Sequence, residues 1–552
     1  MAQLTRKEFI KRAGASAAAL MASSVLPGFG SRPARAQPST GRPNILFICM
    51  DQLRSWLDLP QELPLPAHRR LLDEGRAFRF YHVHQAPCAP SRSSFYTGQH
   101  IQKTGIYTNP PSVFAEITPG EDVALELPLG FPTIGTLLRE QGYYTAYKGK
   151  WHLSVVNQRA QAAAGRGRYP IATDMLEGYG FSDYNHDGEH AGLSWEGFTH
   201  DEFIAADAIN LLRRLASGRS EGRPWFLAVN FINPHDIMYF DAAGRGGINR
   251  GAPMLGAPGV PLYDQQWDFP LPRSYYEDDL STKPRVHRPA NDLDEAGWLR
   301  YQNYYFNCIR DVDRHIAKVL DEVDRLGLAD STIVVLTSDH GERGGAHGGM
   351  RGKGADIYKE TVRVPLIVRH PDVSEAGLTD ALASGIDLAP TLLGFAGLDD
   401  AARAERYPFL HGIDLGPVIA DPRARTERDR LGILFNYGTP GAAVTPDGPA
   451  EGNTDRALIR GVFDGRYKFG RYFRVTEHHK PLDWDTLVAH NDLELYDTAA
   501  DPDELINLAY RPEAHEELIL ALNAKVNALM DREVGVDDGS MYPGDTALYN
   551  RI

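Results

Sequence analysis

The chain predicts an α/β fold: a large mixed, mainly parallel sheet flanked by helices, followed by a smaller C-terminal α+β domain of antiparallel sheet plus helix. Three observations predict it. Short apolar runs alternate with amphipathic helical stretches, the runs end in polar residues able to do chemistry, and the texture of the chain changes near residue 430. The strand candidates are Asn44 to Met50, Tyr143 to Tyr147, Trp225 to Ile232, Thr332 to Ser338 and Val364 to Val368, each bounded by Pro, Gly or charged residues. Of the intervening helices, one opens on a capping box of Thr199 and Glu202. It carries Ile204, Ala208, Leu211, Leu212 and Leu215 on one face and stops at Gly218. A second runs through Ile309, Val312, Ile316, Leu320 and Val323 to Gly327. From Asp241 to Asn291 the chain is rich in Gly and Pro with neither period, which reads as a long surface insertion and a candidate cover for an active site. Beyond residue 430, Ala457 to Phe463 and Arg466 to Phe473 flank Asp464-Gly465 as a two-residue hairpin turn, and a helix from Pro512 to about Asp531 closes the chain. The expected division is a leader at 1–36, a catalytic α/β domain at 42–430 and a C-terminal subdomain at 431–552.

Composition bounds the function. A chain of 552 residues, 42% of them hydrophobic, can bury one large core and a second smaller one. With 73 acidic against 58 basic side chains the net charge is -15, which argues against nucleic acid as a partner. An anionic substrate must then find a locally positive pocket. The three cysteines, Cys49, Cys88 and Cys308, are too few for a disulfide framework or a four-cysteine zinc site, so any special cysteine acts alone. At the N-terminus, Arg6, Lys7, Lys11 and Arg12 precede an Ala-rich run from Ala13 to Leu26 and a small-x-small site at Ala34-Arg35-Ala36. This is the pattern of an export signal. Thr5 to Lys11 resembles a twin-arginine signal with lysine in place of the second arginine, so an exported, periplasmic or secreted protein is expected. No later stretch offers the roughly 18 uninterrupted apolar residues of a membrane span.

In open parallel sheets the ligand site lies beyond the carboxyl ends of the strands. The first strand runs into Asp51-Gln52, the second into Lys148-Gly149-Lys150-Trp151-His152, the third into Asn233-Pro234-His235 and the fourth into Asp339-His340. Four strands thus deliver carboxylates, imidazoles and lysines to one edge. A single aspartate at such a place is an ordinary turn or cap residue. Asp51 and Asp339 at equivalent strand ends, with Gln52 and His340 beside them, instead suit a hard or borderline divalent cation. Zinc is disfavoured, because no three His or Cys cluster at zinc-site spacing.

The segment Cys88-Ala89-Pro90-Ser91-Arg92-Ser93-Ser94-Phe95-Tyr96-Thr97-Gly98 admits a bland reading, a small buried hydrophobe opening a helix. As a whole, however, Cys-x-Pro-Ser-Arg followed by Thr-Gly resembles the signature of the type I sulfatases of the alkaline phosphatase superfamily. The resemblance extends through Arg42 to Phe47, Gly149-Lys150-Trp151-His152-Leu153, Ser338-Asp339-His340-Gly341-Glu342, Gly352-Lys353-Gly354 before Val362-Arg363-Val364-Pro365, and Glu494-Leu495-Tyr496-Asp497 with Asp501-Pro502 and Asn507-Leu508. Arylsulfatases commonly carry two adjacent aspartates after the first strand and an Asp-Asn pair after the later one. The Asp51-Gln52 and Asp339-His340 pairs here resemble the choline sulfatase and phosphonate monoester hydrolase branch.

What the resemblance implies is a sulfuric ester hydrolase in which Cys88 is oxidised to formylglycine by a formylglycine-generating or sulfatase-maturing enzyme. One divalent ion, with Ca2+ favoured by the family and Mn2+ or Mg2+ as alternatives, would be held by Asp51, Gln52, residue 88, Asp339 and His340. Arg92, Lys150 and Lys353 would hold the sulfate oxygens. His235 would protonate the leaving oxygen, and His152 would take the proton from the second hydroxyl. The implied substrate is a small sulfated organic molecule or carbohydrate. Tyr184, His186, Asp187, Trp195, Asp236 and Tyr239 are candidate pocket residues or ordinary loop residues. Two rival readings are a phosphonate monoester or phosphodiester hydrolase of the same superfamily, and a non-catalytic exported binding protein that keeps an unmodified Cys88.

Overall fold

In strand β1 (Asn44–Asp51) seven of eight residues are buried, so the apolar run is continuous rather than alternating, as a strand covered on both faces requires. A computed structural model describes this strand and residues 41–110, 126–154, 175–184, 192–249, 252–290, 292–438 and 456–542, with the backbone of two short strands at 444–445 and 448–449. The leader, His186 and Asp187 lie outside the described residues. The other strands of the main sheet are β2 (Arg76–His82), β3 (Tyr144–Gly149), β4 (Trp225–Pro234), β5 (Thr332–Ser338), β6 (Leu366–Arg369) and β7 (Gly377–Ser384). Their order is β3-β4-β1-β5-β6-β2-β7. Strands β3, β4, β1 and β5 are mutually parallel, β6 runs antiparallel to both β5 and β2, and β2 is parallel to β7. The expected mixed, mainly parallel sheet is therefore present. Two strands, β2 and β7, were not expected, because RAFRFYH and GLTDALAS interrupt their apolar residues with Arg, Thr and Asp. The expected run Val364 to Val368 pairs two residues later, at Leu366–Arg369.

Helices cover both faces. Helices α1 (Pro66–Glu74), α3 (Glu196–Ala216) and α4 (Glu295–Arg325) bury apolar stripes against the sheet, and α2 (Cys88–Thr97) is buried on every side. Each fully buried Leu, Ile or Phe contributes roughly 1.5–3 kcal/mol. Helix α4 begins well before Ile309, since Trp298, Tyr301 and Tyr305 continue its buried face toward the N-terminus. The Thr199–Glu202 capping box is not formed: α3 starts three residues earlier, and the Thr199 hydroxyl donates to the Trp195 carbonyl at 2.9 Å. The free amides of its first turn, Gly197 and Phe198, are capped instead by the Asp236 carboxylate, both at 2.8 Å. A partner from a distant strand end thus does what a local pair was expected to do.

The insertion from Asp241 carries a two-stranded ribbon and the short helix Arg273–Glu277. It touches both the turn after β4 and the loop after β5: Leu255 N–H donates to Tyr239 O at 2.9 Å, and His347 N–H donates to Ser274 Oγ at 3.1 Å. A second, antiparallel sheet holds β8 (Ile433–Tyr437), β9 (Leu458–Phe463), β10 (Tyr467–Phe473) and β11 (Asp492–Asp497) in that order. The β9–β10 register pairs Phe463 with Lys468, and Asp464 N–H donates to Tyr467 O at 3.1 Å, so the turn centres on Gly465-Arg466, one residue beyond the expected Asp464-Gly465. Gly465 sits at φ 101°, which puts the glycine first in the turn, where the left-handed backbone is needed. Helix α5 (Glu516–Leu529) buries Ile519, Leu522, Val526 and Leu529 against this sheet.

Candidate active site

The carboxyl ends of β1, β3, β4 and β5 meet the N-terminus of α2 at one place, as the parallel order requires. Cys88 is the first residue of α2, and all ten side chains of that helix are buried. Its Sγ lies 3.6 Å from Asp51 Oδ1, 3.2 Å from His340 Nε2 and 4.0 Å from Lys150 Nζ. Asp51, Cys88, Asp339 and His340 offer ligand atoms all within 4.8 Å of one another, and all four are buried.

The two carboxylates divide their oxygens. Asp51 Oδ2 faces Lys150 Nζ at 2.8 Å and Arg92 Nη2 at 3.4 Å, while Asp339 Oδ2 accepts from Arg92 Nε at 2.8 Å. Their Oδ1 atoms each lie 3.7 Å from His340 Nε2. His340 Nδ1 sits 2.9 Å from the Gly341 carbonyl, and donation there leaves Nε2 as the lone-pair nitrogen facing Cys88. Two buried carboxylate oxygens, an imidazole lone pair and the residue 88 side chain form a donor set that fits a divalent cation.

Cations surround this hub. Arg92 also donates to the Lys150 carbonyl at 2.9 Å and to Asn230 Oδ1 at 3.3 Å, so its planar fork spans both aspartates and the end of β4. Lys353 Nζ donates to Gln52 Oε1, and the Gln52 N–H donates to Asp339 Oδ1 at 3.1 Å. Burial and Asp51 push the Cys88 thiol up, yet the Lys150 and Lys353 cations help to hold its pKa below the ordinary value. Cys49 is different, because burial pushes its thiol far up and leaves it an inert core residue. His152 and His235 are buried, and burial, with Lys150 and Lys353 nearby, holds both pKa values well below the ordinary histidine value. Both are therefore neutral imidazoles before substrate arrives.

Local backbone explains the placement. Gln52 at φ 71° and His152 at φ 61° occupy the left-handed region, a strain that the surrounding contacts hold. Gly149 bends the chain at φ 87°, and a Cβ there would stand 1.9 Å from the Asn230 carbonyl, so only glycine lets β3 deliver Lys150. Every site residue expected from the sequence lies at this edge: Cys88, Arg92, Lys150, Asp51, Asp339, His340, Gln52 and Lys353 in mutual contact, with His152 and His235 within electrostatic reach. Tyr184 is buried in the aromatic core against Tyr147 rather than lining a surface, and Asp236 serves as the α3 cap.

Three supporting residues escaped the sequence reading. Asn230 joins Arg92 to the Tyr96 hydroxyl at 2.8 Å. Asp201 accepts from the amides of Ile232 and Asn233 at 2.7 and 2.9 Å, fixing the turn that carries His235. Glu342 binds the Gln52 amide. Asp201 carried a signal in principle: it falls three and seven residues before Ile204 and Ala208, on the apolar face of α3.

Comparisons agree with this geometry. The sulfatase family model matches residues 43–398. A choline-sulfatase of Rhizobium meliloti is 27% identical over 86% of this chain and 84% of its own. A solved 2-O GAG sulfatase shares the fold at TM-score 0.64 and 21% identity, covering 92% of this chain and 96% of its own. The phosphonate monoester hydrolase of Agrobacterium radiobacter does so at TM-score 0.60 and 20% identity, over 89% and 96%. With the family model covering well over half of the sequence, the chain belongs to the sulfatase family of sulfuric ester hydrolases.

Proposed function

We propose that the protein hydrolyses sulfate esters of small organic or carbohydrate alcohols, with Cys88 matured to formylglycine as the nucleophile. The observation that carries this reading is the position of Cys88 between Asp51, His340 and Lys150, at a buried hub where three cations outnumber two carboxylates. A divalent ion, when held by Asp51, Gln52, residue 88, Asp339 and His340, supplies Lewis acidity that favours an ionised oxygen on residue 88.

The aldehyde takes up water to give two hydroxyls on one carbon. One oxygen forms a bond to sulfur while the S–O bond to the alcohol breaks, and His235 gives the departing oxygen its proton. The neutral resting state of His235 follows from burial and its cationic neighbours, and the incoming anion favours its protonated form. Lys150 and Lys353 stabilise the charge on the sulfate oxygens, and Arg92 holds Asp51 and Asp339 in place while adding its own charge. His152, neutral by burial and the charge of Lys150, then accepts the proton of the second hydroxyl; the carbon–oxygen bond to sulfate breaks and the aldehyde returns.

Peptide mass spectrometry across Cys88 of protein from its native host tests the reading, and ordinary cysteine in protein that hydrolyses sulfate esters at full rate would overturn it. Cys88→Ala should abolish turnover. Cys88→Ser should accept one sulfate and stall, because a serine sulfate has no second hydroxyl from which to collapse; steady turnover by that variant contradicts the mechanism. Turnover of aryl sulfates against aryl phosphonates separates the sulfatase from the phosphonate hydrolase that shares its fold. Export of the chain is supported by its leader sequence.

A further inference from the structure

Gln52 is engaged at every polar group. Its N–H donates to Asp339 Oδ1 at 3.1 Å, its carbonyl accepts from the Tyr305 hydroxyl at 2.8 Å, its side-chain Nε2 donates to Glu342 Oε2, and its Oε1 accepts from Lys353 Nζ. The backbone half of this set holds the residue at φ 71°. The side-chain half faces a different problem. The oxygen and nitrogen ends of a carboxamide are alike in shape, so packing alone does not choose which end points toward Lys353.

We propose that Glu342 is a positioning residue that makes this choice, forcing the oxygen of Gln52 toward Lys353 and the candidate cation site. This rests on the reading of Gln52 and Lys353 as site residues. The Glu342 side chain is wholly buried, and its carboxylate only accepts. Its Oε1 takes the N–H of Gly344 and the N–H of Gly352, each at 2.8 Å, and the Tyr301 hydroxyl at 3.1 Å. Oε2 remains for Gln52, and only an NH2 group satisfies it. A flipped amide would set oxygen against carboxylate and NH2 against an ammonium, two repulsive contacts in a buried place. The same carboxylate ties down Gly352, the residue before Lys353, so one group sets both the presented oxygen and the loop that carries the lysine.

Charge-swapped variants of the full-length protein test this. In Glu342→Gln the glycine and tyrosine donors keep the new amide's oxygen on their side, so its NH2 faces residue 52. Gln52 then turns its own oxygen toward residue 342 and its NH2 toward the site. We expect affinity for Ca2+ and Mn2+, read by calorimetry on chelator-stripped protein, to fall about 10- to 100-fold. The melting temperature in excess chelator should change far less. In the double variant Gln52→Glu with Glu342→Gln, the amide donates to the new carboxylate and an oxygen again faces Lys353. Affinity and sulfate ester turnover should return to within a few-fold of the parent.

Unchanged affinity in Glu342→Gln, or a swap that binds no better than the single variant, overturns the proposal while the parent's own cation binding leaves the family reading standing. A single variant that melts early in chelator and is not rescued by the swap assigns Glu342 a structural role only, which also overturns it. Absence of Ca2+, Mn2+ and Mg2+ binding in the parent would overturn the metal reading and the proposal together.

Discussion

His235 shows how little room the site leaves for error. Gly192 lies against its ring, and a Cβ built there would stand 2.4 Å from Nδ1, on a backbone at φ 86° that already favours glycine. Gly192→Ala should therefore displace the imidazole or the loop beside it. A displacement near 1 Å at a proton-transfer group costs on the order of 100-fold in rate. We expect kcat on an aryl sulfate to drop by about that factor with the melting temperature little changed; an unaltered kcat would show that the loop yields and the imidazole keeps its place.

At the same scale, the sequence was informative wherever a residue belonged to a patterned set. Cys88 in its block, and Asp51 and Asp339 at strand ends, fall into this class. Glu342, Asn230 and Asp201 do not, because each acts on another side chain or on a backbone amide from a distant part of the chain. Only Asp201 carries a local mark, its place on the apolar face of α3; nothing local distinguishes Glu342 or Asn230 from an ordinary polar residue.

Among the elements, the β1, β3, β4 and β5 strands were legible as continuous apolar runs, and the α3 and α4 stripes because burial of one face imposes a period on them. Strands β2 and β7 were not, since they lie beyond the antiparallel β6 at one end of the sheet and carry mixed residues. The start of α3 was misread for a related reason. Its cap, Asp236, belongs to the turn after β4, and burial raises that carboxyl to about 7 although the Gly197 and Phe198 amides pull it down. Asp236→Ala should cost about 1 kcal/mol, the worth of a helix cap. Because the capped turn packs on the segment bearing His235, the same variant should also lower kcat. Denaturant melts and steady-state kinetics on one preparation check both; full stability in the variant would mean that water replaces the cap.

Across the whole molecule, buried charge ties together segments that flank the two sheets. Arg428 pairs with Asp387 at 2.6 Å and with Glu533, which also lies 3.1 Å from His100 Nε2. All of these side chains are buried. Arg428→Ala leaves two carboxylates without their cation and should destabilise the fold by about 3–5 kcal/mol. Burial pushes Glu533 up, but Arg428 and His100 outweigh it and hold the group at about 2. A carboxylate depressed in this way stabilises the fold fully above its ordinary range near 4.5, and that stability is lost as the pH falls toward 2. The stability difference between the parent and Glu533→Gln, followed by denaturant melts, should shrink across that window; a constant difference would contradict the pairing.

His347 gives the opposite sign. Burial lowers it, but Glu360 at 3.2 Å and Asp278 at 2.6 Å raise it to about 9. Its contribution, on the order of 3 kcal/mol, is complete below pH 6.5 and is lost as the pH rises through 9. Melting curves of the parent and His347→Gln should converge over that interval, and parallel curves would show that His347 holds no extra proton in the folded state.

The sequence by itself determined the fold class and the set of polar groups at the strand ends, because hydrophobic period and parallel topology are local patterns with one geometric outcome. Only the tertiary structure decided which oxygen of Asp51 and Asp339 faces Arg92 and Lys150, what caps α3 and which way Gln52 points. Those choices are made by hydrogen-bond partners tens to hundreds of residues away, and a buried polar group takes its role from whichever partner the fold brings to it.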